Sequence, residues 1–108
     1  MPFIVVVKGA EDMRAAEFVS LYTEKISECL TKRDVEFWVT DQKGVAAHTI
    51  RMLETRQFQQ CKVFHTRDVC EHALGRMFVR VGGYPSMAAI EAEFLVSANE
   101  IVEFASSG

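Results

Sequence analysis

Gln60–Met77, QCKVFHTRDVCEHALGRM, reads as one strand, one turn and one short helix. Cys61–Thr66 has the length and β-branched or aromatic content of a buried strand. Arg67–Met77 predicts the helix that follows, with Gly75 weakening it near its end. A strand that runs straight into a helix is half of a βαβ unit. The fold turns on whether the same alternation repeats on either side.

It does. Upstream, Gln57–Gln60 is a polar linker, and Val45–Arg56 predicts a helix with Val45, Thr49, Met52 and Leu53 on one face, widened by Ala46 and Ile50. Asp41-Gln42-Lys43-Gly44 is a loop in which Asp41 is the expected cap. Val35–Thr40 (VEFWVT) is a strand, and Trp38 is expected to fill core or interface. A helix from about Asp12 to Lys32 is predicted from Ala15, Val19, Tyr22, Ile26, Cys29 and Leu30 at three- and four-residue spacing. Cys29 lies on that stripe and is expected to be a packed thiol. Phe3–Val7 (FIVVV) is a continuous apolar run, the mark of a strand covered on both faces.

Downstream, Phe78–Val81 is a strand and Gly82-Gly83-Tyr84-Pro85 is the strongest turn signal in the chain. Ser86 is placed to cap a helix over Met87–Ala98, and Ile101–Phe104 is a short last strand. Strands alternating with helices of this length predict one α/β domain over residues 1–108. It is flavodoxin-like, with a five-stranded, mostly parallel sheet and helices on both faces.

A chain of 108 residues supports one modest core. Hydrophobic residues make up 49% and charged residues 25%, with a net charge of −3 and the basic residues scattered singly. That balance argues against a nucleic-acid groove or an anionic membrane surface, both of which need clustered Lys and Arg. No apolar run approaches the roughly 20 residues that span a bilayer, and Pro2–Val7 is too short for a signal peptide. Three cysteines without framework spacing fit a reduced, cytoplasmic protein.

In open parallel sheets, ligands bind beyond the carboxyl ends of the strands. Those ends carry Lys8-Gly9-Ala10-Glu11, Thr40-Asp41-Gln42, His65-Thr66-Arg67-Asp68 and Gly82-Gly83-Tyr84-Pro85. His65, Arg67 and Asp68 suit an anionic ligand or proton transfer; equally, Asp68 can cap the helix and His65 simply end the strand. Gly82-Gly83 before a helix can offer backbone N–H groups to a small anion, or form only a tight turn. Cys70 falls in the first turn of the predicted helix, where the dipole and Arg67 favour thiolate while Asp68 and Glu71 oppose it. No metal or other cofactor is expected. Cys61 and His65 stand about 13 Å apart along an extended strand, and Cys70 and His72 face different ways on a helix.

FIVVVKGAED at the start, and a strand, a Gly turn and SMAAIEAEFLVSANEIVEF at the end, resemble the DsrE/DsrF-like family of small sulfur-relay proteins. The resemblance implies a five-stranded α/β sheet, assembly with copies or a related subunit, and, in some members, a cysteine that carries persulfide sulfur. It also implies a sulfur-carrier protein as a possible partner. The family's cysteine follows the third strand. The matching stretch here, Phe64–Asp68, has none, and Cys70 is the nearest. In the sulfur-transfer version Cys70 attacks a donor persulfide, Arg67 stabilises the anion and His65 moves a proton. Small-ligand binding at the strand ends is the companion reading. The alternative is a non-enzymatic oligomeric or adaptor subunit, with Trp38, Tyr84, Phe78 or Phe58 forming its interface.

Overall fold

The computed structural model describes residues 2–66 and 78–105. The elements are β1 (Phe3–Lys8), α1 (Ala15–Leu30), β2 (Val35–Thr40), α2 (Val45–Thr55), β3 (Cys61–Phe64), β4 (Val79–Val81), α3 (Met87–Ser97) and β5 (Glu100–Glu103). All five strands are parallel, in the order β4-β3-β2-β1-β5. The expected five-stranded α/β architecture is therefore present, with helices on both faces. The helix expected over Arg67–Met77 lies outside the described residues.

Alternation along each strand sends successive side chains to opposite faces. Val5, Val7, Phe37, Val39 and Val63 meet Tyr22 and Ile26 of α1 and Ile50 and Leu53 of α2. Val6, Trp38 and Phe64 meet Ile90 and Phe94 of α3 on the other side. Val5, Val6 and Val7 are thus all buried, as a run covered on both faces should be. Among the described residues the second face has a single helix, and Trp38 lies beneath it as core.

Three local expectations change. The buried stripe of α1 is Phe18-Tyr22-Ile26-Cys29, and Val19 and Ala15 lie outside it. One helical step separates Phe18 from Val19, and the larger aromatic takes the core side, where it stacks on Tyr22 at 5.2 Å. Asp41 does not cap α2; Gly44 occupies that position, with no side-chain cap bond. Asp12 precedes α1, whose N-cap is Arg14. By contrast Ser86 caps α3 as expected, its Oγ accepting from the Ala89 N–H at 3.2 Å.

The aromatics considered for an interface are instead packed. Trp38 and Phe78 are buried, Phe58 stands edge-on to Phe37 at 5.6 Å, and Tyr84 tilts over Phe64 at 5.7 Å. Among the described residues, no helix is long and apolar enough to cross a membrane.

β5 is held to α1 by an ion pair, with Lys25 Nζ 2.8 Å from Glu100 Oε2. The Lys25 hydrogen bond holds the Glu100 carboxyl below the usual glutamate range. A carboxylate favoured in this way stabilises the fold above its unfolded-state pKa. That contribution fades as pH falls through the lowered folded value. The pair is partly exposed, so Glu100→Gln is expected to cost less than about 1 kcal/mol at neutral pH. The difference from the parent should vanish in acid, and urea titrations at neutral and acid pH measure both effects.

Candidate ligand site at the strand carboxyl ends

The ends of β1 and β2 close upon each other. Ala10 O accepts from Val45 N at 3.2 Å and from Met13 N at 3.5 Å. Gln42 Nε2 donates to Glu11 Oε1 at 2.6 Å, and Thr40 Oγ1 donates to Gln42 Oε1 at 3.1 Å. His48 Nε2 is 2.9 Å from Met13 O, so this half-buried histidine pins the same loop. Gly9 has no free space beside it. A Cβ there would strike the Tyr22 hydroxyl and lie 2.7 Å from Val45 Cγ2.

The ends of β3 and β4 are arranged differently. Asp41 N donates to Phe64 O at 3.1 Å, and His65 N donates to Val81 O at 3.0 Å. Asp41, His65 and Gly82 therefore follow one another across the ends of β2, β3 and β4, where strands stand about 4.8 Å apart. Asp41 and His65 are both buried. His65 is only 4% exposed, and its Nδ1 has no hydrogen-bond partner among the described residues. Buried polar atoms are almost always paired, and an orphan costs about 1–3 kcal/mol.

β1 and β2 feed helices on one face of the sheet, whereas β4 feeds α3 on the other. Ligands of open parallel sheets bind beyond the carboxyl ends of the strands, and α3 starts a few residues after the end of β4. Between the two, Gly83 has a φ of 85°, and a Cβ there would meet nothing within 4 Å. The turn is open space held by a conformation that favours glycine. The N–H groups of the first turn of α3 have no intrahelical acceptor. Ser86 takes that of Ala89, and the helix dipole adds positive potential there. A buried imidazole with one free nitrogen can bond a ligand oxygen or exchange one proton.

His65, Gly82 and Gly83 thus come together, while Gly9 sits two strands away from His65 in a filled position. Arg67, Asp68 and Cys70 lie outside the described residues. Cys29 and Cys61 are both buried. Desolvation raises the Cys29 thiol, and it drives Cys61 far above the ordinary thiol range. Neither has the character of a reactive thiolate. No group of three or more metal-ligating side chains forms among the described residues. A hollow of about 340 Å³ lies at the opposite end of the sheet, bounded by Glu54, Gln57, Phe58, Gln59 and Phe78. It gathers one carboxylate and no basic side chain among those residues, so the strand carboxyl ends have the richer chemistry.

Sequence reasoning found His65 by its position at a strand end, but not its burial. It placed Tyr84 in the turn after β4, but not its packing over Phe64.

Fold and site together define an open parallel α/β domain with buried polar residues at the carboxyl ends of β2 and β3 and an open glycine turn after β4. No protein-family model matches the chain, nor does any curated protein or solved structure.

Proposed function

We propose that this chain is a small-molecule-binding domain that takes a ligand bearing an anionic group, phosphate or carboxylate, at the carboxyl ends of β3 and β4. The observation that carries the reading is His65, buried at the carboxyl end of β3 with Nδ1 unpartnered among the described residues. The ligand's anionic oxygens lie against the first turn of α3 and the Gly82-Gly83 backbone, and one of its polar atoms pairs with His65. The open side of Gly83 lets the ligand approach the main chain. The sulfur-transfer form of the resemblance rests on Cys70 alone, because the other two thiols are buried.

A thermal-shift screen with inorganic phosphate, nucleoside phosphates and small carboxylates tests the proposal. A ligand at about 100 times its Kd stabilises the native state by roughly 2.7 kcal/mol. For a domain of this size that raises Tm by about 10 °C or more. His65→Ala is expected to abolish the shift while leaving a folded protein. A panel in which no anion raises Tm, or an equal shift in His65→Ala, overturns the reading.

A further inference from the structure

The solvent side of α3 is apolar. Ile90 and Phe94 face the sheet, while Ala88, Ala92, Leu95 and Val96 are on the outside. Their spacing, i, i+4, i+7 and i+8, is that of a core-facing stripe, here turned to solvent. Leu95 is 68% exposed and Val96 83%. Val79 and Ile101, on the two edge strands, are exposed as well, and alternation puts them on the same face of the sheet as α3. Scattered exposed apolar residues need no explanation, but a helical stripe of them does.

The opposite face carries a matching hollow. Between α1 and α2 runs a mainly apolar groove of about 300 Å³, lined by Phe18, Val19, Thr23, His48, Arg51 and Met52 among others. Val19, which sequence spacing assigns to the core, is 60% exposed at this groove. The charges are complementary too. Exposed Glu91 adjoins the α3 stripe, exposed Arg51 adjoins the groove, and neither has an ion-pair partner among the described residues.

We infer that this chain associates with copies of itself head to tail, the α3 ridge of one copy seated in the α1–α2 groove of the next. Leu95 and Val96 enter the groove beside Val19, Phe18 and Met52, and Glu91 pairs with Arg51 across the contact. A two-fold contact of α3 on α3 would instead gather the Glu91 and Glu93 side chains of both copies around one axis, with no basic residue in the helix to offset them. The molecule measures 34 × 33 × 26 Å, so each broad face has room for the roughly 800 Å² per partner of a stable interface. A head-to-tail contact between different faces closes into a ring when its rotation allows, and otherwise extends as a filament.

Light scattering coupled to size exclusion, at micromolar concentration, is the test. The parent chain is expected to run heavier than a monomer. Glu91→Arg and Arg51→Glu should each fall to monomer mass. An equimolar mixture of the two should regain mass, because opposite charges meet wherever the two variants alternate. Val96→Asp should also give a monomer with an unchanged circular dichroism spectrum, since the position is on the surface. A monomeric parent overturns the inference. So does Arg51→Glu with the parent's mass, which would place the contact elsewhere, as in α3 on α3.

Discussion

Gly44→Ala is expected to lower the unfolding free energy by about 3 kcal/mol, from left-handed strain of about 1–2 and overpacking of about 1–3. Gly44 holds a φ of 70° at the N-terminus of α2. A Cβ there would run into the carbonyl oxygen of Ala10 and lie 2.5 Å from the carbonyl carbon of Glu11. Both obstacles are backbone, so no side-chain rotation relieves them. The same Ala10 oxygen accepts from Val45 N, and displacing it loosens the start of α2 as well. Since domains of this kind have only about 5–15 kcal/mol in total, the variant should be visibly less stable in a urea titration. A loss under about 1 kcal/mol would show that the β1–α1 loop yields without resistance.

Gly9→Ala and Tyr22→Phe are each expected to destabilise, and to do so less than additively together. The Tyr22 oxygen lies 2.8 Å from Lys8 O and 3.0 Å from Phe104 O, as donor, and accepts from Phe104 N at 2.8 Å. Removing it leaves buried main-chain groups short of a partner, at about 1–3 kcal/mol. Gly9→Ala drives a methyl into that same hydroxyl and against Val45, again at about 1–3 kcal/mol. With the hydroxyl gone, part of the collision disappears, and only the Val45 contact at 2.7 Å remains. A double-mutant cycle by denaturant unfolding should return a coupling of about 0.5–3 kcal/mol in the relieving direction. Strict additivity would mean that the Gly9 backbone moves away rather than pressing on Tyr22.

The strands were legible because their signal is local. FIVVV and VEFWVT can bury both faces, and the strand-helix alternation leaves few topologies open. Which side of a helix is buried was less legible. Phe18 and Val19 are both apolar neighbours, and only the packed sheet decides between them. Asp41 reads as a cap because its chemistry suits one, yet Gly44 lies closer to the helix start and tolerates the required φ. At the site, spacing placed His65, Gly82 and Gly83 at strand ends, and the sheet order then made them neighbours. Gly9 was drawn into the same list by the same rule. What removes it is the packing of Tyr22 and Val45, contacts between distant residues that no local pattern encodes. The α3 stripe was hidden for the opposite reason, because MAAIEAEFLVS spreads its apolar residues around the helix and names no preferred face.

The position of β5 beside β1 has a kinetic consequence. β1, β2, β3 and β4 lie side by side in the order of the chain, so each pairs with the strand before it. The outer flank of β1 is different. It is completed by residues that emerge long afterwards, with Ile4 N bonded to Asn99 Oδ1 across 95 positions of sequence. Closing so large a loop is entropically slow compared with the near-neighbour pairings. Through synthesis and early folding, the most apolar strand of the chain therefore keeps a bare edge, the kind of surface on which chains stick to one another. Once β5 docks, the new border alternates Glu100 and Glu103 with Ile101 and Val102, and the Val5–Val7 run no longer forms an edge.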